Sequence, residues 1–249
     1  MEQEQLLRRM QDLAARCDKT GSILCSTFLT PAEQASVDLW QRRETQPCRI
    51  RFFGGHADCE RKAAFFIPYY FEDTDVSLDE EISAVEIRAS FGTPGHRDYL
   101  GALLGLGVKR EWIGDIWLSG QTAWVFCLPS VAEQLSSLSQ AGRVSVKAAL
   151  VPLSRVPDPE RKRKQITFTV QSPRFDAVLS ETFRLSRTGA VKLIAGGLAS
   201  LNYFPCLKND TPVKEGDVLS LRGYGKAVIA EIGGNSRKGR LFIHAEIYL

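Results

Sequence analysis

The sequence predicts an α+β protein with a mainly helical N-terminal part, a ferredoxin-like middle part and a small, basic C-terminal part. Helix start signals precede the apolar periodicity of residues 1–78, and strand and helix patterns alternate through residues 79–156. Positive charge collects near the C-terminus. At 249 residues the chain is somewhat long for one domain, so we expect several parts, each with its own core.

The N-terminal part carries two helix signals and one strand signal. We predict one helix over about residues 4–17, a second after the Thr30-Pro31 start signal, and a strand at residues 48–53. Residues 52–70 read FFGGHADCERKAAFFIPYY, in which Asp58 is a candidate N-cap of a further helix. Aromatic residues at these spacings indicate core packing.

The middle part, residues 79–156, follows the order βαββαβ. Residues 82–90 and 143–153 have strand patterns, residues 113–119 and 123–129 form a strand pair, and helical patterns lie between them. Ser130 and Glu133 have the spacing of a capping box for the second helix. This order is ferredoxin-like, which is also the arrangement of RNA-recognition domains.

Two aromatic side chains of this middle part alternate on one face of a strand. Trp124 and Phe126 have the spacing of residues that stack on bases, but no Lys or Arg precedes them in the segment SGQTAWVFCL. Core packing is therefore the favoured interpretation, and base stacking stays open.

A charged connector is expected at residues 157–172, because PDPERKRKQ combines prolines with a run of charges. The favoured interpretation of such a run is a solvated linker, and contact with phosphates beside a nucleic-acid-binding domain is the alternative. Its cations are Arg161, Lys162, Arg163 and Lys164.

The C-terminal part is basic although the chain as a whole is not. Residues 182–249 contain ten Lys and Arg against five Asp and Glu, a net charge of +5 in a chain whose total is +3, so the remainder carries −2. This asymmetry is typical of a nucleic-acid-binding module.

A short helix is predicted between Ser186 as N-cap and Gly196-Gly197 as the stop. Arg187 falls in its first turn, where a cation opposes the helix dipole. We therefore expect Arg187 to serve a bound phosphate and its loss to leave folding nearly unchanged. The alternative is a solvated surface arginine.

The segments RFDAVLSETFRLSRTGAVKLIAGGLASLN and VKEGDVLSLRGYGK resemble the S-four domain, also called the alpha-L RNA-binding domain, over residues 173–249. One departure is that Asn202 is followed by Tyr203 and Phe204, where that family often has Gly-Lys. With FFGGHADCERKAAFFIPYY, EIGGNSRKGR and the ending GRLFIHAEIYL, nearly the whole chain resembles the YlmH family of bacterial RNA-binding proteins.

The resemblance implies a non-catalytic protein without cofactor that binds structured RNA by shape and phosphate. The implied partners are ribosomal RNA or ribosome-bound tRNA on the large ribosomal subunit, in ribosome-associated quality control. The expected RNA-binding residues are Arg184, Arg187, Lys192, Asn202, Arg222, Lys226, Arg237, Lys238 and Arg240. Possible additional RNA contacts are Arg49, Arg51, Arg61, Lys62 and the four cations of the connector.

Other functions have weaker signals. GALLGLG at residues 101–107 lies in a helical pattern and not between a strand and a helix, so it fails as a cofactor loop. His56 and Cys59 lack a third partner for nucleophilic catalysis. The six cysteines form no CxxC pair, which indicates reduced thiols and no zinc site. We expect a cytoplasmic protein without a membrane span, and an RNA-modifying enzyme is the alternative function.

Overall fold

A computed structural model describes residues 2–72, 76–159, 163–236 and 239–248. The chain divides into two compact units, Met1–Glu160 and Arg161–Leu249. Among the described residues, no helix is both long and apolar enough to cross a membrane.

The first unit begins with a three-stranded antiparallel sheet and two helices. The element bounds are α1 Glu2–Thr20, β1 Leu24–Leu29, α2 Pro31–Arg43, β2 Arg49–Phe53 and β3 Lys62–Ile67. The strand order is β1-β3-β2. Thr30 and Glu33 form a complete capping box at the start of α2.

The prediction of a mainly helical N-terminal part is therefore wrong for two segments. Residues 24–29 and 62–67 pair as β1 and β3, and Asp58 lies in a turn instead of capping a helix. Short apolar runs of about six residues do not distinguish a strand from a helix by periodicity. Residues 62–67 form a strand because β3 pairs with both β1 and β2.

The middle elements form a second, five-stranded antiparallel sheet with the strand order β5-β6-β4-β8-β7. Their bounds are β4 Ser83–Ala89, α3 His96–Gly105, β5 Ile113–Ser119, β6 Thr122–Cys127, α4 Pro129–Ser136, β7 Gln140–Ala141 and β8 Val144–Val151. The helix α4 starts one residue before the predicted N-cap Ser130, and no side chain caps it. Pro129 at the first helical position, with its fixed φ, determines this start.

The two helices cover one face of the five-stranded sheet. Tyr99 and Leu103 of α3, together with Leu135 of α4, are buried against strand residues such as Val85 and Val125.

The opposite face of that sheet packs against the N-terminal sheet. Phe28, Phe65 and Phe126 are almost fully buried in one shared cluster. Gly55 and Gly114 permit the close approach, since a Cβ would lie 2.5 Å from the Phe126 ring and 2.6 Å from the Phe28 ring, respectively. The predicted boundary between residues 78 and 79 therefore does not separate two cores.

The second unit contains a six-stranded sheet with the order β11-β10-β12-β13-β14-β9 and two short helices. The bounds are β9 Arg163–Val170, α5 Phe175–Thr182, α6 Arg187–Ala195, β10 Ala199–Leu201, β11 Phe204–Pro205, β12 Val218–Leu221, β13 Gly225–Asn235 and β14 Leu241–Tyr248. The predicted connector 157–172 is wrong from residue 163 onward, because β9 pairs with β14 along its whole length. Alternating Ile166, Phe168 and Val170 support this strand by packing on the core.

A buried carboxylate joins the starts of α5 and α6. Asp176, with 5% of its side chain exposed, lies 3.1 Å from Arg174 and 3.2 Å from Arg187. Burial alone would raise the pKa of the Asp176 carboxyl, but hydrogen bonds and charge from Arg174 and Arg187 hold it below the ordinary value. An anion that offsets Arg187 in its helix turn is therefore part of the protein, and an RNA contact by Arg187 stays a prediction.

Substitution of Gly55 should destabilise the first unit strongly. Gly55 has φ +95° and no room for a Cβ beside Phe126, so Gly55→Ala combines backbone strain with overpacking and should lower the free energy of unfolding by about 3 kcal/mol. Gly107→Ala is the matched control, because Gly107 has φ +85° but no atom within 4 Å of the position that a Cβ would take. Urea denaturation measures the loss of unfolding free energy for each variant. Equal losses for both variants would show that packing against Phe126 does not restrict position 55 to glycine.

Loss of Arg187 should destabilise the second unit at neutral pH. The pKa of the Asp176 carboxyl is lowered in the folded state. The ionised carboxylate therefore stabilises the fold above about pH 4, and this contribution is lost as the pH falls through the folded pKa. Arg187→Ala should therefore lower the free energy of unfolding by about 1 kcal/mol at pH 7 and by less at pH 3. Lys192→Ala, an exposed change on the same helix, is the control for urea denaturation at both pH values. Equal stability of Arg187→Ala and the native chain at pH 7 would refute this role.

Candidate nucleic-acid interface

Positive charge is divided unequally between the two units. Residues 161–249 contain 15 Lys and Arg against 7 Asp and Glu, a net charge of +8. Residues 1–160 contain 17 against 22, a net charge of −5. The second unit therefore attracts polyanions more strongly than the total charge of +3 indicates.

Two predicted arginines line one groove of the second unit. Arg187, at the start of α6, and Arg240, just before β14, border a cavity of about 420 Å³. Arg240 Nη2 donates to the carbonyl of Thr169 at 2.5 Å, which fixes its position, and Arg187 keeps 58% of its side chain exposed while it binds Asp176. Guanidinium groups on two sides of a groove suit the oxygen atoms of a phosphate. Glu181 also lines the groove and opposes an anion there.

A second group of cations lies at the turn between β12 and β13. The backbone N–H of Arg222 donates to Leu198 at 3.0 Å, and the ring of Tyr224 lies 6.4 Å from that of Phe183. These contacts bring Arg222 close to the end of α5, where exposed Arg184 follows Phe183 with a φ of 54°. Lys192 is exposed on α6. Half of Tyr224 is exposed as well, so this region offers cations beside an aromatic ring.

Asn202 has a structural role in the turn after β10. Its side-chain oxygen accepts from the N–H of Val218 at 2.9 Å, and its Nδ2 donates to Asp217 at 2.8 Å. Asn202 and Tyr203 both have positive φ, as in the tight turn of a hairpin. The amide therefore stabilises the hairpin, and a phosphate contact by Asn202 stays a prediction.

The third cationic group lies on β13 and β9, beside Tyr248 of β14. Lys226 Nζ is 4.5 Å and the Arg163 guanidinium 5.0 Å from the centre of the Tyr248 ring. Arg163 also lies 2.7 Å from Glu246. Lys164 is exposed on the neighbouring position of β9. The predicted contacts Arg161, Lys162, Arg237 and Lys238 lie outside the described residues.

The predicted N-terminal cations have different surroundings. Arg49 and Arg51 line a groove of about 810 Å³ together with Tyr69. Arg42 also lines this groove, and no sequence motif had singled it out. Arg49 Nη2 donates to the carbonyl of Phe71.

Arg61 is used inside the fold of the first unit. Its guanidinium donates to the carbonyls of Phe28 and Ile113, and burial lowers its pKa. Lys62 Nζ donates to the carbonyl of Ala57 at 3.3 Å. Both side chains thus hold neighbouring segments of the first unit in place.

The His56 and Cys59 pair has no catalytic geometry. Nδ1 of His56 faces the backbone N–H of Asp58 at 3.1 Å, and Nε2 faces Asp158 at 3.1 Å, so both ring nitrogens have partners other than Cys59. None of the six cysteines forms a disulfide. Within the described ranges, no three His, Cys, Asp or Glu residues are placed to hold a metal ion.

Comparisons with known proteins identify relatives of the chain. A family model described as "Putative RNA-binding domain in YlmH" matches residues 76–155, which contain the five-stranded sheet. The chain is 33% identical over 216 residues to the ribosome-associated protein quality control protein P2 of Bacillus subtilis (strain 168), covering 86% of this chain and 82% of the relative.

A solved structure, described as cell division protein ylmH from Streptococcus pneumoniae, matches with a TM-score of 0.55 and 17% identity. The match covers 64% of this chain and 96% of that chain, and it supports the fold alone. On the identity and coverage of the Bacillus subtilis relative, and on the family model that matches the middle sheet, the chain belongs to the YlmH family.

Proposed function

We propose that the protein binds structured RNA without catalysing a reaction on it. The observation that carries this proposal is the +8 charge of residues 161–249, together with the groove that Arg187 and Arg240 line. Phosphate contacts supply most of the affinity of such surfaces and carry little sequence information. Recognition is then of RNA shape and phosphate, and base readout contributes little at this groove.

The domain interpretation is part of the same proposal. Residues 173–249, joined by β9, form an S-four RNA-binding domain, and residues 79–156 form a ferredoxin-like domain. The order of helices and strands in both segments and the resemblance of the sequence motifs support this interpretation. Since a fold alone does not establish a function, the proposal of RNA binding is based on the cationic side chains.

The target is ribosomal RNA or ribosome-bound tRNA on the large ribosomal subunit. The name of the Bacillus subtilis relative, a ribosome-associated quality control protein, supports this choice. The protein then acts in the cytoplasm, at ribosomes. The alternative, an RNA-modifying or RNA-processing enzyme, is not favoured by any group of side chains in the described ranges.

RNA binding should weaken steeply with salt, and Arg240 should contribute to it. If about four phosphates are contacted, the log-log slope of affinity against salt should be about −3 to −4. Arg240→Gln should weaken binding of a structured RNA about 5- to 30-fold and reduce the slope by about one. Arg97→Gln, an exposed change on α3, should leave both unchanged.

Filter binding or fluorescence anisotropy between about 50 and 300 mM salt measures both quantities. Co-sedimentation with purified large and small ribosomal subunits then tests the target, and the native chain should follow the large subunit. The proposed interface would be rejected if RNA affinity did not depend on salt, or if Arg240→Gln and Arg97→Gln changed that affinity equally. Binding to small subunits alone would reject the proposed target.

The absence of catalysis makes a separate prediction. Incubation of the full chain with cellular RNA and common cofactors should leave the mass of every RNA fragment unchanged in mass spectrometry. Heat-denatured protein is the control. A protein-dependent mass change or cleavage would favour the enzyme alternative.

A further inference from the structure

The face of the middle sheet that α3 and α4 do not cover packs in part against the N-terminal sheet. Strand register divides this face into cross-strand rows. Ala84 pairs with Phe126, and this row lies in the apolar cluster shared with the N-terminal sheet. In the next row, Trp124 still belongs to that cluster and Trp117 packs against it, whereas the row after it lies beyond the cluster.

The row next to Phe126 is aromatic. Trp117 of β5 pairs with Trp124 of β6, which in turn pairs with Glu86 of β4. The following row is polar and cationic, since Ser119 pairs with Thr122, and Thr122 with Arg88. Lys147 of β8 extends this row as the partner of Arg88. An aromatic row therefore lies beside a row that carries two exposed cations.

The two tryptophans line a cavity of about 500 Å³ together with Ser119, Gly120 and the segment from Pro157 to Pro159. This volume is in the range of small-ligand sites. Trp124 is 8% exposed and forms part of the lining, whereas Trp117 is half-buried.

The ring of Trp117 is held in place by its neighbours. The centre of the His56 ring lies 5.0 Å away on an edge-to-face contact, and that of Phe126 lies 4.9 Å away. His56 also binds Asp158 at 3.1 Å, which fixes the segment that forms the outer wall of the cavity. Trp117 therefore has an aromatic neighbour on two sides, and one of them, His56, also contacts the outer wall of the cavity.

Charge beside the cavity favours an anionic ligand. Glu86 is buried, accepts a hydrogen bond from Arg88 and forms ion pairs with two arginines, Arg88 at 2.7 Å and Arg155 at 3.8 Å. Since one carboxylate cannot neutralise two guanidinium groups, and Lys147 adds a third cation, the row retains positive charge. The exposed carboxylate of Asp158 lies against His56, on the other side of Trp117.

We propose that this face is a second nucleic-acid site, which inserts an unpaired base of single-stranded RNA against Trp117 and Trp124 and binds the flanking phosphates through Arg88 and Lys147. Aromatic platforms beside cations hold single strands in this way, because every base has a π-face and every linkage a phosphate. The row of cations favours RNA over a proline-rich peptide. The proposal rests on the proposed function but assigns a different RNA form to a different unit.

Substitution of Trp117 tests the base contact on the full chain. The probe is an unstructured single-stranded RNA octamer, and the readouts are quenching of tryptophan fluorescence and affinity by anisotropy. Trp117→Leu, which keeps an apolar side chain without a π-face, should weaken affinity about 5- to 100-fold, the range expected for stacking one base. Trp117→Phe should retain most of the affinity and lose part of the quenching. Leu39→Ala, a change at an exposed residue of α2 that does not line the cavity, should have no effect.

The outcomes separate this site from the groove of the second unit. Arg240→Gln should leave the quenching by the octamer unchanged, because all four tryptophans lie in the first unit. An abasic octamer with the same number of phosphates should not quench. Thermal melts verify that Trp117→Leu is folded. The proposal is overturned if Trp117→Leu and Trp117→Phe bind the octamer equally well, if the abasic strand quenches equally, or if a proline-rich peptide binds in preference to the octamer. Failure of these tests would leave salt-dependent binding of structured RNA by the second unit intact.

Discussion

Packing of the N-terminal sheet on the middle sheet is the constraint on which the first unit depends. Phe28, Phe65 and Phe126 bury their rings in one cluster, and each buried ring contributes about 2 to 3 kcal/mol. The approach requires glycine at Gly55, where a side chain would overlap the Phe126 ring. The same contact decides which part of the middle sheet stays open, because it covers the row of Phe126 and leaves the row of Trp117 at its margin.

In the second unit, one buried carboxylate couples stability to the candidate interface. Asp176 accepts from both Arg174 and Arg187, so the two arginines fix the starts of α5 and α6 while more than a third of each side chain is exposed. Leaving a buried charge without partners costs several kcal/mol. Substitution of Arg187 therefore changes the stability of the second unit as well as the candidate interface.

The two proposed sites differ in the chemistry that each unit supplies. The second unit has net charge +8 and few exposed aromatic rings among its described residues, which suits phosphates of a folded RNA. The first unit has net charge −5, and its cations Arg88, Arg155 and Lys147 stand beside two tryptophans. A binding surface on an acidic unit needs this local arrangement, since the overall field opposes a polyanion.

The sequence by itself determined the βαββαβ element order of the middle part, the helix from Arg187 to Ala195 and the concentration of positive charge, because periodicity, capping residues and composition are local properties. It did not reveal β1, β3 and β9, since pairing with distant strands stabilises them. Nor did it pair Trp117 with Trp124 or Arg187 with Asp176, contacts that strand register and helix packing create. Only the tertiary structure decided which side chains share a surface, because that depends on contacts between residues far apart in the chain.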